Sequence, residues 1–270
     1  MSAASVPAPA LLEAPLASLI DAVAARQRLD FGRAAADLKP DGTLVTTCDL
    51  WSDQTIVQGL RSLYPGEGIL SEEGDRHLPA SSAFWVVDPL DGTTNFAAGI
   101  PFWSISIARF EGGQPVLGIL EVPPLGLRII AKAGLGAWRN GIPLDPPAAK
   151  THPGQCVSLC SRSITVLQKR PDRPFPGKVR LFGVASLNLA SVATGQTVAA
   201  LEATPKIWDL AAAWLVLREL SCPVHWLQRD PAEIPPGTDL TSIGFPVLAA
   251  DDEATLQLYR PWSDELGPSV

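Results

Sequence analysis

The 270-residue sequence predicts a mixed α/β protein, and three observations carry that prediction. Leu12, Leu16, Ile20, Val23 and Ala24 share one face of an N-terminal helix. The middle of the chain is divided by Gly and Pro into short runs rich in branched and aromatic residues, which is the pattern of strands. Residues 209–220 are apolar almost all round, as expected of a buried helix.

Taken in order, the first helix is expected over residues 11–38, stopped by Lys39-Pro40-Asp41-Gly42, with a frayed end before Leu11. Residues 43–48 read as a short extended segment. Residues 49–63 return to helix with Ile56, Leu60 and Leu63 inward, and Tyr64-Pro65-Gly66 ends it. Strands are expected at 69–70, 84–87, 103–110, 116–122 and 127–131, with hairpin turns at Glu111-Gly112-Gly113 and Asn140-Gly141. The polar, proline-containing stretch 146–154 is the expected boundary between halves spanning 1–146 and 147–270. Beyond it come a strand at 157–160, a helix at 163–169, a Pro-rich loop at 171–176, a strand at 179–182, a helix at 186–193 and a strand at 197–201. The buried helix follows, and residues 261–270 read as a loose tail.

Composition narrows the function classes. Hydrophobic residues make up 46% of the chain, which supports an extensive core and argues against disorder. Net charge is −7 and no basic stripe is present, so nucleic acid is not expected as the main partner. No apolar run reaches bilayer length and no basic-then-apolar leader opens the chain, so a cytoplasmic protein with no membrane partner is expected. Neither the cysteines (48, 156, 160, 222) nor the histidines (77, 152, 225) have zinc-site spacing; reduced thiols are the expectation. Cys48 adjoins Asp49, but a free cysteine is usually a small core residue.

The segment Asp88-Pro89-Leu90-Asp91-Gly92-Thr93-Thr94-Asn95-Phe96 follows the apolar run Phe84-Trp85-Val86-Val87. It sets two carboxylates three residues apart across a stiff proline. Gly92 then lets the backbone approach a ligand, and two threonines offer hydroxyls and amides. Carboxylates beside exposed amides suit a hard cation and a phosphate together. The same residues also make an ordinary Asp/Pro/Gly turn, so the local pattern leaves both readings open.

Three further segments accompany it: Leu44-Val45-Thr46-Thr47-Cys48-Asp49, Glu72-Glu73-Gly74 and Ile207-Trp208-Asp209. In this order, over residues 39–219 or so, the chain resembles the inositol monophosphatase family. These are magnesium-dependent, lithium-sensitive phosphomonoesterases related to fructose-1,6-bisphosphatases and to phosphatases of 3′-phosphorylated nucleotides. The resemblance implies an α/β/α/β/α layered sandwich with the site where the halves meet, and a homodimer. It implies Mg²⁺ held by Glu72, Asp88, the Leu90 carbonyl, Asp91 and Asp209. Thr93 and Asp49 are implied as the water-activating pair, with Glu72 also catalytic. Gly92, Thr93 and Thr94 would bind phosphate through backbone amides at a helix start. Ala185 (by its amide), Glu202 and Asp209 would meet the substrate, and Lys39 would lie near the site. The implied substrate is inositol monophosphate or a similar small phosphorylated polyol. Histidinol phosphate, fructose 1,6-bisphosphate and 3′-phosphoadenosine 5′-phosphate are the alternatives within the same chemistry.

Each residue also has a plainer role. Asp49 and Asp209 are natural helix caps, and Glu202 could be a strand-end charge. A regulatory binding protein on the same scaffold would be marked by loss of a ligand or of the Thr93–Asp49 pair, and every such position is filled. Three departures stand out. Thr43 replaces a common Asp, Ser186 replaces the usual Ala of a Gly-x-Ala-Ala turn, and Leu220-Ser221-Cys222-Pro223 replaces Ala-Gly-Gly after Glu219. The turn after the buried helix must therefore differ.

Overall fold

A computed structural model describes residues 11–39, 42–148, 155–170 and 173–266. The expected frayed end before Leu11, most of the 146–154 boundary and parts of the stop signal at 39–42, the Pro-rich loop and the C-terminal tail lie outside them.

The first half opens with α1 (Ala14–Asp30), β1 (Ala36–Leu38), β2 (Leu44–Thr46) and α2 (Thr47–Leu63). The first helix is thus shorter than its periodicity suggested. Gly32 turns the chain at φ +71°, a conformation costly for other residues, and residues 36–38 pair with 44–46 instead. A seven-stranded sheet follows: β3 (Gly68–Ser71), β4 (Ala83–Asp91), β5 (Ser104–Glu111), β6 (Gln114–Val122), β7 (Leu127–Lys132), β8 (Gly136–Arg139) and β9 (Ile142–Pro143), in sequential order. Its first pair is parallel and the rest antiparallel. Both expected hairpin turns are present, at Gly112-Gly113 and Asn140-Gly141. The short helix α3 (Thr93–Ala97) interrupts the sheet after β4.

The second half holds β10 (Cys156–Leu159), α4 (Thr165–Lys169), β11 (Lys178–Arg180), α5 (Ala185–Ala193), β12 (Ala199–Glu202) and α6 (Ile207–Glu219). Then come β13 (Val224–Trp226), β14 (Val247–Ala250) and α7 (Glu253–Ser263). Its five strands run β11-β10-β12-β14-β13.

Packing gives the layered architecture. On one face of the seven-stranded sheet, Leu16, Ile20 and Val23 of α1 and Ile56 and Leu60 of α2 bury Trp85, Val87, Ile105, Ile107 and Ile119. On the other, α5 and α6 form a middle layer against Val86, Ala108 and Leu120. The five-stranded sheet lies beneath them, and its far face is covered by Leu256, Tyr259 and Trp262 of α7 together with Val166 of α4. The order α/β/α/β/α matches the expectation.

Because α6 is sandwiched between two sheets, its stripe has no polar side. Ten of its thirteen residues are buried. It lies flat on β6, where a Cβ on Gly118 would stand 2.8 Å from the Ala212 carbonyl oxygen. The helix ends where Ser221 adopts φ +56°, a left-handed conformation in which glycine is at ease. The Glu219 carboxylate accepts the Gly134 and Gly136 amides, both at 3.0 Å, and so caps the β7–β8 turn. The expected loose tail is corrected for residues 261–263, which close α7. Pro261 sits in the last helical turn, where a missing N–H removes only one bond, and Trp262 and Ser263 are buried.

Candidate active site

The site is built on a break in β4. In an unbroken strand, residues three apart point to opposite faces. Pro89 cannot donate to the ladder with β5, and the pairing slips by one residue: Asp88 opposes Ser106 and Asp91 opposes Ser104. The extra residue restores parity and brings both carboxylates to one side. From α1, the buried Gln27 side chain donates to the Pro89 carbonyl at 2.7 Å and accepts from Trp103 Nε1 at 3.0 Å, pinning the break from behind. Sequence reasoning missed Gln27, whose only signal is a polar residue on an apolar helical face.

Asp209 arrives from the other half. It is the third residue of α6, just inside the Lys206 N-cap, and its Oδ2 accepts the Lys206 amide at 2.7 Å. Capping and a place in the cluster are therefore compatible. Carboxylate oxygens of Asp88, Asp91 and Asp209 all lie within 4.8 Å of one another. None has a cationic partner among the described residues. Three close carboxylates, two of them buried and one half-buried, cost free energy unless a cation joins them. Their all-oxygen donor set fits a hard divalent ion. Leu90 stays in the core by its side chain, and its amide donates to Asp88 Oδ1 at 3.0 Å.

Glu72 faces the same cleft but stands apart from this tight cluster. Its Oε1 lies 2.8 Å from Lys39 Nζ, which also reaches Glu73 at 2.5 Å. Across the cleft, the Thr93 hydroxyl is 2.7 Å from Asp49 Oδ1. The other Asp49 oxygen accepts the Thr46 hydroxyl and, at 3.0 Å, the Thr46 amide, so Asp49 caps α2 as well. Gly92 adopts φ +99°, and a Cβ there would stand 2.8 Å from Val184 Cγ2. Only glycine admits both the turn and that contact, and it starts α3 with Thr93 and Thr94 on the cleft wall.

Two neighbouring pockets share Asp91, Asp209, Arg162, Gly183 and Thr204. One, of about 260 Å³, holds the carboxylates and threonines; the other, of about 350 Å³, reaches Glu202, Asn188 and Cys160. Glu202 is buried at 3% exposure, so it is no strand-end surface charge. Ala185 differs from expectation. Its amide points to Asp91 Oδ1 at 3.3 Å, and the Ser186 amide to Oδ2 at 2.7 Å, so the start of α5 anchors Asp91. The Ser186 hydroxyl meets Ser104 Oγ at 2.7 Å and fills the buried seam. Cys48 packs with Leu90, Phe96 and Trp103, and burial pushes its thiol up to about 12. Trp208 of the Ile207-Trp208-Asp209 segment also lines the carboxylate cleft; Arg76, Arg162 and Lys206 line it too and were missed, since nothing local marks them.

Burial is the first cause that raises the acids here. It lifts Asp88 and Asp209 well above the carboxylate range, with repulsion from Glu72 and Asp91 adding to it at both. Asp91 is pushed up to about 6, Glu73 to about 7 and Glu202 to about 8. Acids raised on folding bind more protons folded than unfolded, so stability falls as pH rises from the ordinary carboxylate range through these values. Calorimetry in a chelator is expected to show the melting temperature dropping from about pH 5 to about pH 8, with added Mg²⁺ flattening the fall.

Compared with known proteins, residues 16–250 match the inositol monophosphatase family. The chain belongs to that family. A fructose-1,6-bisphosphatase/inositol-1-monophosphatase of Thermotoga maritima is 32% identical over 184 residues, 65% of this chain and 68% of that protein. A histidinol-phosphatase of Mycobacterium tuberculosis is 34% identical over 193 residues, 68% and 74% of the two chains. Among solved structures, an IMPase/NADP phosphatase complexed with Mg²⁺ and phosphate superposes with a TM-score of 0.73 at 25% identity, covering 90% of this chain and 91% of that one. Membership makes this inositol monophosphatase family chain a phosphatase-type hydrolase by fold and motif. No helix among its described residues is long and apolar enough to cross a membrane.

Proposed function

We propose that the chain is a magnesium-dependent phosphomonoesterase acting on inositol monophosphate or a similar small phosphorylated alcohol. One observation carries the reading. Asp88 and Asp91 from one half and Asp209 from the other converge within 4.8 Å, in a cleft that also holds the Thr93–Asp49 pair. Asp88, Asp91 and Asp209, joined by Glu72 and the Leu90 carbonyl, would hold the ion. When bound, such an ion neutralises phosphoryl charge, acidifies water and stabilises a leaving alkoxide.

The chain's own residues supply the remainder. The Thr93 hydroxyl, which donates to Asp49 Oδ1, would take a proton from the attacking water while passing its own to that oxygen. Asp49 is prepared for this because Thr46 holds its second oxygen. The first turn of α3 offers amides whose partners the helix itself does not supply, which suits phosphate oxygens. Glu202 would read the leaving group in the adjoining pocket.

The same reading includes a cytoplasmic homodimer, tested by light scattering against twice the 28.6 kDa chain mass. The deciding experiment is phosphate release from a panel of phosphomonoesters with Mg²⁺, with chelator, and with added Li⁺. Release that needs Mg²⁺ and is inhibited by Li⁺ is expected. Release that is unchanged in chelator would refute the metal role.

A further inference from the structure

We propose that the apolar pocket beneath residues 231–240 is a second ligand site, separate from the carboxylate cleft. It takes an uncharged aromatic molecule of one or two rings and, when filled, tightens cation binding in the cleft.

The pocket measures about 300 Å³ and shares no lining residue with either pocket of the active site. Its floor is Phe84, Phe110, Ile207, Leu240 and Phe245, each at most 5% exposed. Half-buried Ser81 and exposed Ala80, Ser82 and Gly112 stand at the mouth. Every lining residue is uncharged.

The walls do not collapse into the space. Pro79, Pro231 and Pro236 stiffen them. The Asp230 side chain accepts the Ala232 amide at 2.9 Å and holds the start of the loop. Backbone bonds then tie the loop to Leu78, whose amide donates to the Thr238 carbonyl at 2.9 Å and whose carbonyl accepts the Gly237 amide at 2.7 Å. With these groups paired, water finds few of the roughly two to four polar partners it needs to settle. An apolar cavity of about 150 Å³ admits benzene, so this one has room for two rings. Phe84 and Phe110 stack with centroids 5.0 Å apart and offer a further ring an aromatic wall. Ser81 Oγ accepts the Gly68 amide at 3.0 Å, which leaves its proton for one oxygen on the ligand. A phosphorylated polyol has no charge partner here.

Two segments that build the carboxylate cleft border this pocket. Ile207 opens α6 two residues before Asp209. The Phe245 amide donates to the Pro205 carbonyl at 2.8 Å, just ahead of that helix. On the other wall, the Leu240 amide donates to the Arg76 carbonyl at 3.0 Å, and Arg76 Nε donates to the Glu72 carbonyl at 2.6 Å. The Arg76 guanidinium also lies 5.7 Å from the centre of the Trp208 ring. A ligand packed against Ile207 and Leu240 therefore orders the segments that carry Asp209 and Glu72. The cation then meets a site already ordered and binds more tightly.

The probes are 2-naphthol and its charged analogue 2-naphthoate, titrated at pH 7 into the whole chain by calorimetry. One 2-naphthol per chain is expected to bind with Kd at or below about 0.1 mM, and 2-naphthoate at least about tenfold more weakly. Saturating 2-naphthol is expected to tighten Mn²⁺ binding about fivefold or more, and Mn²⁺ to tighten 2-naphthol by the same factor. Amide exchange at residues 72–78 and 207–211 should slow with 2-naphthol alone. Ala232→Phe fills the pocket and should abolish these effects. Ala80→Trp, at an exposed position, covers the mouth and should do the same without burdening the core. No saturable binding, equal binding of 2-naphthoate, an unchanged Mn²⁺ dissociation constant, or binding that persists in both variants would overturn the proposal. Binding of 2-naphthol with slowed exchange, in a chain that takes up no Mn²⁺ at all, would support the second site and sink the metal reading of the cleft instead.

Discussion

Asp88→Asn is expected to lower phosphate release by at least about 10³-fold, since the cation contributes several kcal/mol of charge stabilisation and each 1.4 kcal/mol is a decade. The same change is expected to stabilise the protein in chelator. Asp88 is buried beside Asp91 and Asp209 and repelled by Glu72, so its carboxyl is raised far above its ordinary range. An amide keeps the shape and removes a like charge. At pH 8 the metal-free melting temperature should rise by about 2–4 °C, corresponding to roughly 1 kcal/mol in a chain of this size. The stabilisation that wild type gains from Mg²⁺ should largely vanish. Calorimetry with and without Mg²⁺, beside a phosphate assay, checks both parts. A site whose removal costs activity and improves stability is one whose acids are gathered for a ligand; a merely structural carboxylate would lose both together.

Thr93→Val is expected to reduce kcat by about 10²- to 10⁴-fold, the usual weight of a positioned proton acceptor. KM and the Mg²⁺ concentration for half-activity should change by less than about threefold. Valine keeps the branched shape and the amide at the start of α3, and removes only the hydroxyl 2.7 Å from Asp49. Thr93→Ser should recover most of the loss. Because the two residues act on one proton path, Thr93→Val with Asp49→Asn should cost little more than the worse single change. Steady-state kinetics of the four proteins checks it, and fully additive losses would dissolve the pair.

The parts of the site that were legible in the sequence are those compressed into one turn or one helix start. Residues 88–94 declare their chemistry because Pro89, Gly92 and two carboxylates sit side by side. Glu72, Asp209 and Asp49 became legible through the order of the segments that carry them. What could not be read is where long-range packing decides. Gln27 supports Pro89 from 62 residues away, and the Asn188–Glu202 hydrogen bond joins α5 to the end of β12. The Ala185 amide was expected on substrate, but the start of α5 closes on Asp91. Of the fold, local signals gave the hairpins and buried helices. They ran past Asp30, because apolar spacing continued where Gly32 turns the chain. They missed β14, whose Val-Leu-Ala-Ala becomes a strand only by pairing with β12 and β13. They also read residues 261–270 as a loose tail, although Trp262 anchors α7 in the core.

The most direct measurement of the central claim is anomalous diffraction from crystals soaked in Mn²⁺, a hard-cation substitute for Mg²⁺. The account predicts a strong peak among the carboxylates of Asp88, Asp91 and Asp209, absent in Asp88→Asn crystals. Well-occupied manganese elsewhere, with those three carboxylates bare, would contradict it.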